Sequence, residues 1–490
     1  MARYFDLILM TSLIGVGLPA VAAAQTGVRK EVSELTAEEI TSLRRGFEVM
    51  ISRNTAPRGS SDFRRSLLFW ANAHAHFGDD CAGDINPRGV GYAEVTAQNA
   101  TGQDERDAWC KCEHGNDHFL TWHRLYLAFF EEILREASGN PQLRLPYWNY
   151  ERNRQIPAIF RAQTYVAADG SRKPNPLFVQ ARQRDLAAGE PLDPGFTSTS
   201  LAFQQTRHAD FGAILESQPH GNIHCAVGVR NCPSGRMGDV PSAGLDPIFY
   251  MHHSNLDRLY ECWLGPAPGE RLPSEQAILN RRYTFATATG EMRTRRVSEM
   301  LRADQIGYSY SNPSHCPRST GEAGGSFLSS DDTETYTLAA GASLSRGVTR
   351  VPIRPSEETR QALQTSQFLS ADVEQRMLVI EDIRFDAPPQ TSYKVFLVTG
   401  SGERTLAGVV QFFGATSHPG HDDRRVDARL DVTNALPAIS PTGELPEDLS
   451  LEFVPSTGVA GSTPAEAAQD IPANANVRYG RVRLVVVSED

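Results

Sequence analysis

The sequence has no excess of positive charge, no internal repeat and, after its first 24 residues, no apolar run long enough to span a bilayer. Its 490 residues include 48 lysines and arginines against 59 aspartates and glutamates, which gives a formal net charge of −11. An acidic chain is poorly suited to nucleic acid or an anionic membrane as its main partner. The sequence therefore argues against a nucleic-acid-binding protein and against a membrane protein after removal of the first segment.

The one long apolar run, at the start of the chain, resembles a secretory signal. Arg3 gives a weak positive region, residues 7–18 are apolar, and the small residues Ala22–Ala24 form a cleavage site before Gln25. A short membrane anchor is the alternative, but the run is short for a membrane span. We therefore predict a signal peptide over residues 1–24 and a secreted or periplasmic protein.

Cysteines are few, and the last third of the chain has none. Export would place the seven that exist in an oxidising compartment, where disulfides form. The pairing is not readable from the sequence, and an odd count leaves one thiol unpaired or used in other chemistry. Cys225 and Cys232 are close in the sequence, which favours a local disulfide between them. If Cys112 is the odd one, the pairs Cys81–Cys110 and Cys262–Cys316 use up the rest.

The first part of the chain has helical patterns. Residues 33–52 begin with a capping box, in which Thr36 is followed by Glu39, and continue with an apolar stripe. Residues 165–200 are rich in proline, glycine and polar groups and predict surface loops. Further helices are predicted at residues 63–76, at residues 118–137, around His220 and His224, and from His252 to Trp263.

The pattern changes after Cys316. The segment 319–375 is predicted to be a linker or irregular segment, because it starts with a glycine- and serine-rich stretch. From residue 376 onward, short apolar runs alternate with turn residues, which predicts an all-β sandwich over residues 376–490. Residues 25–318 would then form a separate, mainly helical domain.

Two groups of three histidines stand out in the helical part. Imidazole is a good ligand for copper and zinc, and three imidazoles leave a coordination position open for chemistry. His220 and His224 are four residues apart, so a helix would place both rings on one face. Two such groups side by side would form a two-metal centre.

Two long motifs resemble a known family. The string His114-Gly-Asn-Asp-His-Phe-Leu-Thr-Trp-His123-Arg-Leu-Tyr is similar to the first copper motif of tyrosinases and catechol oxidases, the type-3 copper proteins. Asp246-Pro-Ile-Phe-Tyr-Met-His-His253-Ser-Asn-Leu-Asp-Arg is similar to the second. The strand-rich tail resembles the C-terminal domain of plant polyphenol oxidases. The resemblance implies a four-helix bundle that holds a dicopper site, followed by a C-terminal β-sandwich.

The resemblance also implies a set of ligands for two copper ions. His76 competes with His74 for the first position, and His118 rivals His114 by helical spacing. His252 would be a structural residue in the His252-His253 doublet. Nine residues on one helix would put the rings of His114 and His123 on opposite faces, so His114 must precede the helix. The implied ligands are His74, His114 and His123 for the first copper, and His220, His224 and His253 for the second.

Cys112 precedes a predicted ligand with the spacing Cys112-Glu-His114. Several members of the family carry a thioether between a cysteine sulfur and a copper-ligand histidine, and some use this spacing. The resemblance therefore implies a Cys112–His114 crosslink, which would stiffen the ring and account for the odd cysteine. The competing interpretation is that Cys112 forms an ordinary disulfide.

The resemblance implies the oxidation of small phenols to o-quinones, with O2 as co-substrate. Glu216 matches the glutamate that orients a water in many members, although it could also be a carboxylate on a helix surface. Members that hydroxylate monophenols strongly often have Asn where this chain has Gly221. Cys225 follows His224 at another position that tunes activity. We therefore expect diphenol oxidation, with hydroxylation of monophenols in doubt.

Asp257 and Arg29 are predicted to support the metal site without binding a metal themselves. It lies one turn past His253 and is expected either to orient a ligand ring or to pair with Arg124. Arg29 is expected to form a cation–π contact with Tyr308 and Tyr310.

Three other functions fit the same histidines. An o-aminophenol oxidase fits the motifs, a hemocyanin-like carrier uses the same copper pair to bind O2 without catalysis, and a metal-scavenging module would bind zinc. In plant relatives the similar β domain covers the copper site and keeps the enzyme latent, and the same arrangement is expected here. The oligomeric state is not readable from the sequence.

Overall fold

A computed structural model describes residues 27–74, 102–109, 111–229, 232, 236–318, 333–365, 373–415, 425–439 and 445–488. The predicted signal peptide, the rival ligand His76, the predicted pair Cys81–Cys110 and residues 319–332 lie outside the described residues. Among the described residues, no helix is both long enough and apolar enough to cross a membrane.

The first part of the chain is mainly helical, as its sequence predicts. Its helices are α1 Ala37–Ser52, α2 Ser61–Arg64, α3 Leu67–His74, α4 Gln103–Trp109, α5 Phe119–Ser138, α6 Arg184–Ala188, α7 Ser200–Phe203, α8 His208–Leu215, α9 Asn222–Val227, α10 Pro247–Leu264, α11 Gln276–Leu279 and α12 Ala303–Ile306. Its short strands are β1 Gly27–Arg29, β2 Thr164–Val166, β3 Arg172–Pro174, β4 Arg282–Ala286, β5 Met292–Arg296 and β6 Tyr308–Tyr310.

Local signals in the sequence determine the ends of the main helices. The predicted capping box at the start of α1 is present, because Thr36 and Glu39 cap each other's backbone N–H groups. Helix α5 ends at Gly139, whose φ of 71° is in the left-handed region that favours glycine. Helix α10 begins after Asp246, whose side chain accepts a hydrogen bond from the Ile248 N–H.

Helices α1, α5 and α10 pack around an aromatic core. The ring of Phe130 on α5 stacks on Tyr250 of α10 with centroids 3.6 Å apart, and Phe47 of α1 lies 5.9 Å from both rings. Gly46 allows α1 to approach α5 closely, since a Cβ there would lie 2.6 Å from Leu134 Cδ1. This packing fixes α5 and α10, which carry predicted ligands.

The last part of the chain is a sandwich of two antiparallel sheets. Its elements are β7 Thr333–Ser343, β8 Thr349–Pro352, α13 Glu357–Thr365, β9 Val373–Arg384, β10 Ser392–Val398, β11 Arg404–Val410, β12 Arg425–Asp431, α14 Ala435–Ile439, β13 Ser450–Ser456, α15 Pro464–Asp470 and β14 Arg478–Ser488. The strand orders are β11-β10-β13-β8 and β12-β9-β14-β7. The sandwich predicted from residue 376 onward is present, and its short apolar runs form the strands β9 to β14.

The sandwich begins earlier in the chain than the sequence predicts. The segment 319–375, predicted to be a linker or irregular, contributes β7, β8 and α13. Both strands lie at the edge of a sheet, where β7 pairs with β14 and β8 pairs with β13. Edge strands are only partly buried and need fewer apolar residues, so β7, with its threonines, alanines and glycine, gives a weak strand signal.

The sandwich docks on the helical part. Leu192 forms a β-bridge with Val459, and the Lys394 ammonium pairs with Asp193 at 2.8 Å. Met377 and Val485 share an apolar cluster with Trp263 of α10. The two parts therefore form a continuous core at this interface.

Two of the three predicted disulfides lie within the described residues, and both are present. They are Cys225–Cys232 and Cys262–Cys316. Cys112 forms no disulfide with another cysteine of the described residues.

Candidate metal centre

The structure brings together all six predicted ligands in two neighbouring clusters. Within each cluster the potential ligand atoms lie within 4.8 Å of one another. The first cluster is His74, Cys112, His114 and His123, and the second cluster is His220, His224, His252 and His253. Among the described residues, His118 is in neither cluster.

The first cluster is built from the end of one helix, one loop and the middle of another helix. His74 is the last residue of α3, and His123 lies in the first half of α5. His114 lies in the loop before α5, as the nine-residue step to His123 requires. The His114 ring centroid is 5.1 Å from both other rings, and those two are 5.7 Å apart.

The second cluster departs from the single helix that the sequence predicts for His220 and His224. Gln218 has non-helical dihedral angles, and regular helix α9 starts at Asn222. The peptide bond between Gln218 and Pro219 is cis. The four-residue spacing of His220 and His224 fits a regular helix, so it gives no sign of the kink at Gln218. The two rings still meet, with centroids 4.6 Å apart.

The two members of the His252-His253 doublet face different sides. His253 lies between the clusters, because its ring stacks on His123 with centroids 4.7 Å apart. Its Nε2 is 3.3 Å from the Nε2 of His224. The His252 ring lies 4.9 Å from His224 and 5.6 Å from both His220 and Tyr150. This geometry favours His253 as the ligand, although His252 also belongs to the second cluster.

Backbone carbonyls orient the rings for metal binding. The Nδ1 atoms of His123, His220 and His224 lie 2.7, 2.9 and 2.7 Å from the carbonyl oxygens of Phe119, Glu216 and Met237. If Nδ1–H donates there, the other nitrogen is left to bind a metal. The buried Nε2 atoms of His123 and His220 have no hydrogen-bond partner among the described residues. These unsatisfied nitrogens fit a metal ion well.

Burial also keeps the imidazoles in the form that binds metal. It lowers the pKa of His220 to about 4 and the pKa values of His123, His224 and His253 well below the ordinary value, with a further contribution from neighbouring histidines at the last three. At neutral pH the rings are therefore uncharged, as metal ligands must be.

Phenylalanine rings enclose the clusters. Phe249 lies 4.2 Å from His253 and 4.6 Å from His74, and Phe119 lies 4.6 Å from His123 and 4.9 Å from His220. These apolar walls limit the access of water to the centre.

Glu216 links the two clusters instead of standing on a helix surface. Its Oε1 accepts a hydrogen bond of 2.8 Å from the Gly115 N–H, next to His114, while its backbone carbonyl contacts His220. Burial raises the pKa of its carboxyl to about 8. The carboxyl group of Glu216 therefore lies beside the residue that follows His114, at the edge of the first cluster.

Asp257 pairs with Arg124, which was one of its two predicted roles. It accepts hydrogen bonds from Arg124 Nε at 2.6 Å, from Arg29 Nη1 at 3.2 Å, and from the hydroxyls of Tyr308 and Tyr310. The Arg29 guanidinium lies 3.6 Å from the ring centroid of Tyr308, which is the predicted cation–π contact. Burial alone would raise the pKa of Asp257, but the arginines hold it below its ordinary value.

Cys112 lies beside the predicted ligand next to it. Its Sγ is 3.4 Å from Nδ1 of His114. Burial, with a smaller contribution from Glu113 and Glu216, raises the pKa of the thiol. The distance is compatible with the predicted thioether.

Sequence reasoning missed one residue of the site, Phe413, which comes from the C-terminal sandwich just after β11. Its ring stacks on His224 with centroids 4.0 Å apart and meets His220 edge-on at 5.4 Å. The only signal was the apolar pair Phe412-Phe413 directly after a strand, and it did not indicate a contact with a distant histidine. The sandwich therefore reaches the second cluster.

The chain matches one protein family over residues 88–192 and 180–265, described as Tyrosinase, common central domain of tyrosinase. Among curated proteins it is similar to Tyrosinase HcTyr1 of Hahella sp. (strain CCB-MM4), with 30% identity over 235 residues, 41% of this chain and 48% of that protein. It is also similar to chloroplastic polyphenol oxidase C of Solanum lycopersicum, with 26% identity over 383 residues, 69% of this chain and 59% of that protein.

The chain thus spans about half to three fifths of the length of these curated relatives. Among solved structures it is similar to latent aurone synthase, a polyphenol oxidase, with a TM-score of 0.58, 19% identity, and coverage of 95% of this chain and 90% of that chain. At this identity the structural likeness supports the fold, a helical core with a C-terminal β domain.

Proposed function

Because the chain belongs to the tyrosinase and polyphenol oxidase family of type-3 copper proteins, we propose that it is an enzyme that oxidises o-diphenols to o-quinones with O2. The observation that carries the proposal is the juxtaposition of the two clusters, whose rings His123 and His253 stack at 4.7 Å. His74, His114 and His123 would hold one copper, and His220, His224 and His253 the other. The copper pair would supply the two-electron chemistry that couples phenol oxidation to O2 reduction.

The chain's own residues prepare the site for this chemistry. Carbonyl contacts fix the rings of His123, His220 and His224, and the phenylalanine rings limit water. The Gly115 N–H holds Oε1 of Glu216. Because burial raises the pKa of Glu216 to about 8, the group is ionised only near or above that pH. Once it is ionised, its other oxygen, Oε2, can accept a proton from a phenolic hydroxyl or orient a water that does so.

We favour diphenols over monophenols because of Gly221. Glycine has no side chain with which to hold a water next to Glu216, so deprotonation of a monophenol would have little support. Catechols need no hydroxylation step, and their oxidation depends less on this position.

One experiment tests the function. The purified protein is loaded with copper, its metal content is measured, and catechol, tyramine, tyrosine and o-aminophenol are assayed side by side. Rapid oxidation of catechol supports the proposal, and faster turnover of o-aminophenol would redirect it. O2 uptake without turnover of any substrate would indicate a carrier, and retention of zinc in place of copper would refute the dicopper assignment.

We further propose that the C-terminal sandwich shields the site. Phe413 covers His224 and His220, so a substrate ring cannot lie over the second cluster while the sandwich is docked. Cleavage that releases the sandwich would have to occur before Thr333, since β7 is paired with β14. The test compares catechol turnover by the intact chain and by the chain cut between residues 319 and 332. Equal rates would show that the sandwich only stabilises the core.

We also propose export by the predicted signal peptide to the periplasm or the outside of the cell. The disulfides Cys225–Cys232 and Cys262–Cys316 support this, because such bonds persist in oxidising compartments. Mass spectrometry of the mature N-terminus tests it, with Gln25 as the expected first residue.

A further inference from the structure

Gly221, the residue after the predicted ligand His220, is in direct contact with the C-terminal sandwich. A Cβ at this position would lie 2.4 Å from Nε2 and 2.7 Å from Cδ of Gln411. Real atoms do not approach so closely, so any side chain at residue 221 would displace Gln411.

The backbone does not explain this glycine. Gly221 has a φ of −60° and a ψ of −36°, an ordinary right-handed helical conformation that every residue adopts. Glycine is in fact unfavourable in a helix compared with alanine. What the position requires is space, and Gln411 occupies that space.

Gln411 in turn holds the residue that covers the site. Its Oε1 accepts a hydrogen bond from the backbone N–H of Phe413, which closes a short turn after β11. This turn directs the Phe413 ring onto His224, at 4.0 Å. A displacement of Gln411 would therefore be transmitted to Phe413 over a distance of two residues.

We propose that the missing side chain at residue 221 is the determinant that lets the sandwich close over the second cluster. Gln411 enters the space beside His220, and its carboxamide holds Phe413 in place. The inference rests on the proposed function, because it takes the second cluster that Phe413 covers to be part of the phenol-oxidising site. It assigns to Gly221 a role in seating the sandwich that is separate from any effect on the substrate.

A double-mutant cycle on the full copper-loaded chain tests the proposal. The variants are Gly221→Ala, Gln411→Ala and the double variant, and the readout is catechol turnover of the intact chain relative to the same chain after cleavage between residues 319 and 332. Gly221→Ala is expected to raise this ratio about fivefold, because the displaced Gln411 loses its hydrogen bond to Phe413, and one such bond contributes about 1 kcal/mol. In the Gln411→Ala chain, the Gly221→Ala change should have no further effect, because the clashing amide is gone.

A second readout does not depend on activity. Hydrogen–deuterium exchange of the peptide that contains the Phe413 N–H should be faster in Gly221→Ala than in the unaltered chain. Gly212→Ala on α8 is the matched control, since a Cβ there meets only Leu120, at an ordinary distance of 3.5 Å. Its exchange should equal that of the unaltered chain.

Three results would overturn the proposal: unchanged exchange in Gly221→Ala, equally faster exchange in Gly212→Ala, or a Gly221→Ala effect that persists in the Gln411→Ala background. If no variant oxidises catechol, the proposed function fails and the exchange experiment still decides whether Gly221 seats the sandwich. If catechol is oxidised but exchange is unchanged, only the seating proposal fails.

Discussion

The ring of Phe413 lies parallel to the ring of His224, with centroids 4.0 Å and planes 9° apart. A parallel stack at this distance leaves no room for a substrate ring on the same face of the imidazole. We therefore predict that Phe413→Ala raises the rate of catechol oxidation by the intact, copper-loaded chain. A tenfold increase would correspond to about 1.4 kcal/mol of lost shielding. Initial rates of quinone formation measure it.

The control for this prediction is Val348→Ala, also in the sandwich but 48% exposed between β7 and β8. It should leave the rate unchanged. After cleavage between residues 319 and 332 has released the sandwich, the Phe413→Ala chain and the unaltered chain should be equally active. In that state neither protein has the Phe413 ring over its metal centre. A difference that survived cleavage would mean that Phe413 affects catalysis itself.

A second prediction concerns the choice between His252 and His253. His253 lies between the clusters, against His123, whereas His252 contacts His220 and His224 of the second cluster and Tyr150. We expect His253→Ala to lose the second copper and to retain the first, and His252→Ala to bind both. Copper content per chain, measured by atomic absorption after dialysis, distinguishes the two variants.

His118→Ala serves as the control, because His118 belongs to neither cluster although its spacing made it a rival of His114. It should keep both copper ions. Loss of one copper from His252→Ala together with full retention in His253→Ala would reverse the assignment.

The sequence predicted those parts of the structure that depend on local signals. The cap formed by Thr36 and Glu39 fixed the start of α1, and the nine-residue step to His123 placed His114 before α5. The two long motifs contained His114, His123 and His253, and the family resemblance that these motifs carry implied the other three ligands, His74, His220 and His224.

Features that depend on distant contacts could not be predicted in this way. Phe413 contacts His224 across the interface between the two parts of the chain, and no local pattern encodes that contact. The kink at Gln218 interrupts a spacing that otherwise fits a helix. Edge strand β7 is stabilised by pairing with β14 more than by its own apolar residues, so its weak pattern suggested a linker.

A third prediction concerns the buried charges around Asp257. Its carboxylate neutralises Arg124 and Arg29, both almost completely buried. Asp257→Ala would remove the partner that the two guanidinium groups share, while Arg29 keeps Glu131 and Arg124 keeps Glu261. We therefore expect a loss of about 1.5–3 kcal/mol in the stability of the helical part, the range for hydrogen bonds to charged groups. Urea denaturation monitored by tryptophan fluorescence measures the loss. Asp62→Ala is the control: its ion pair with Arg65 is exposed, so the change should stay within about 0.5 kcal/mol.

The same carboxylate gives the expected pH dependence. Because the pKa of Asp257 is lower in the folded protein than in the unfolded chain, its contribution is fully present above the ordinary value of about 4 and is lost as the pH falls below it. The difference in stability between the unaltered chain and Asp257→Ala should therefore be constant from pH 6 to pH 8, about the range of ordinary assays, and shrink in acid. A difference that grew on acidification would contradict this assignment.

The last prediction concerns Cys112, whose Sγ lies 3.4 Å from Nδ1 of His114. Formation of a thioether would remove the thiol hydrogen and one carbon-bound hydrogen of the imidazole, with O2 at the copper-loaded site as the oxidant. Trypsin cuts after Lys111 and Arg124, so one peptide contains both residues and no other cysteine. After reduction and alkylation of the copper-loaded protein, this peptide should be unalkylated and lighter than its sequence mass by two hydrogen atoms.

The chain supplies its own controls for this measurement. Peptides with Cys225 or Cys262 come from disulfides, so reduction should make them fully alkylated. Protein kept free of copper should give an alkylated Cys112 peptide, because the crosslink needs oxidation at the metal site. A Cys112 peptide that is alkylated after reduction even in the copper-loaded protein would rule out the thioether. In that case the competing interpretation, in which Cys112 takes part in an ordinary disulfide, predicts a non-reduced digest with Cys112 linked to a second cysteine peptide.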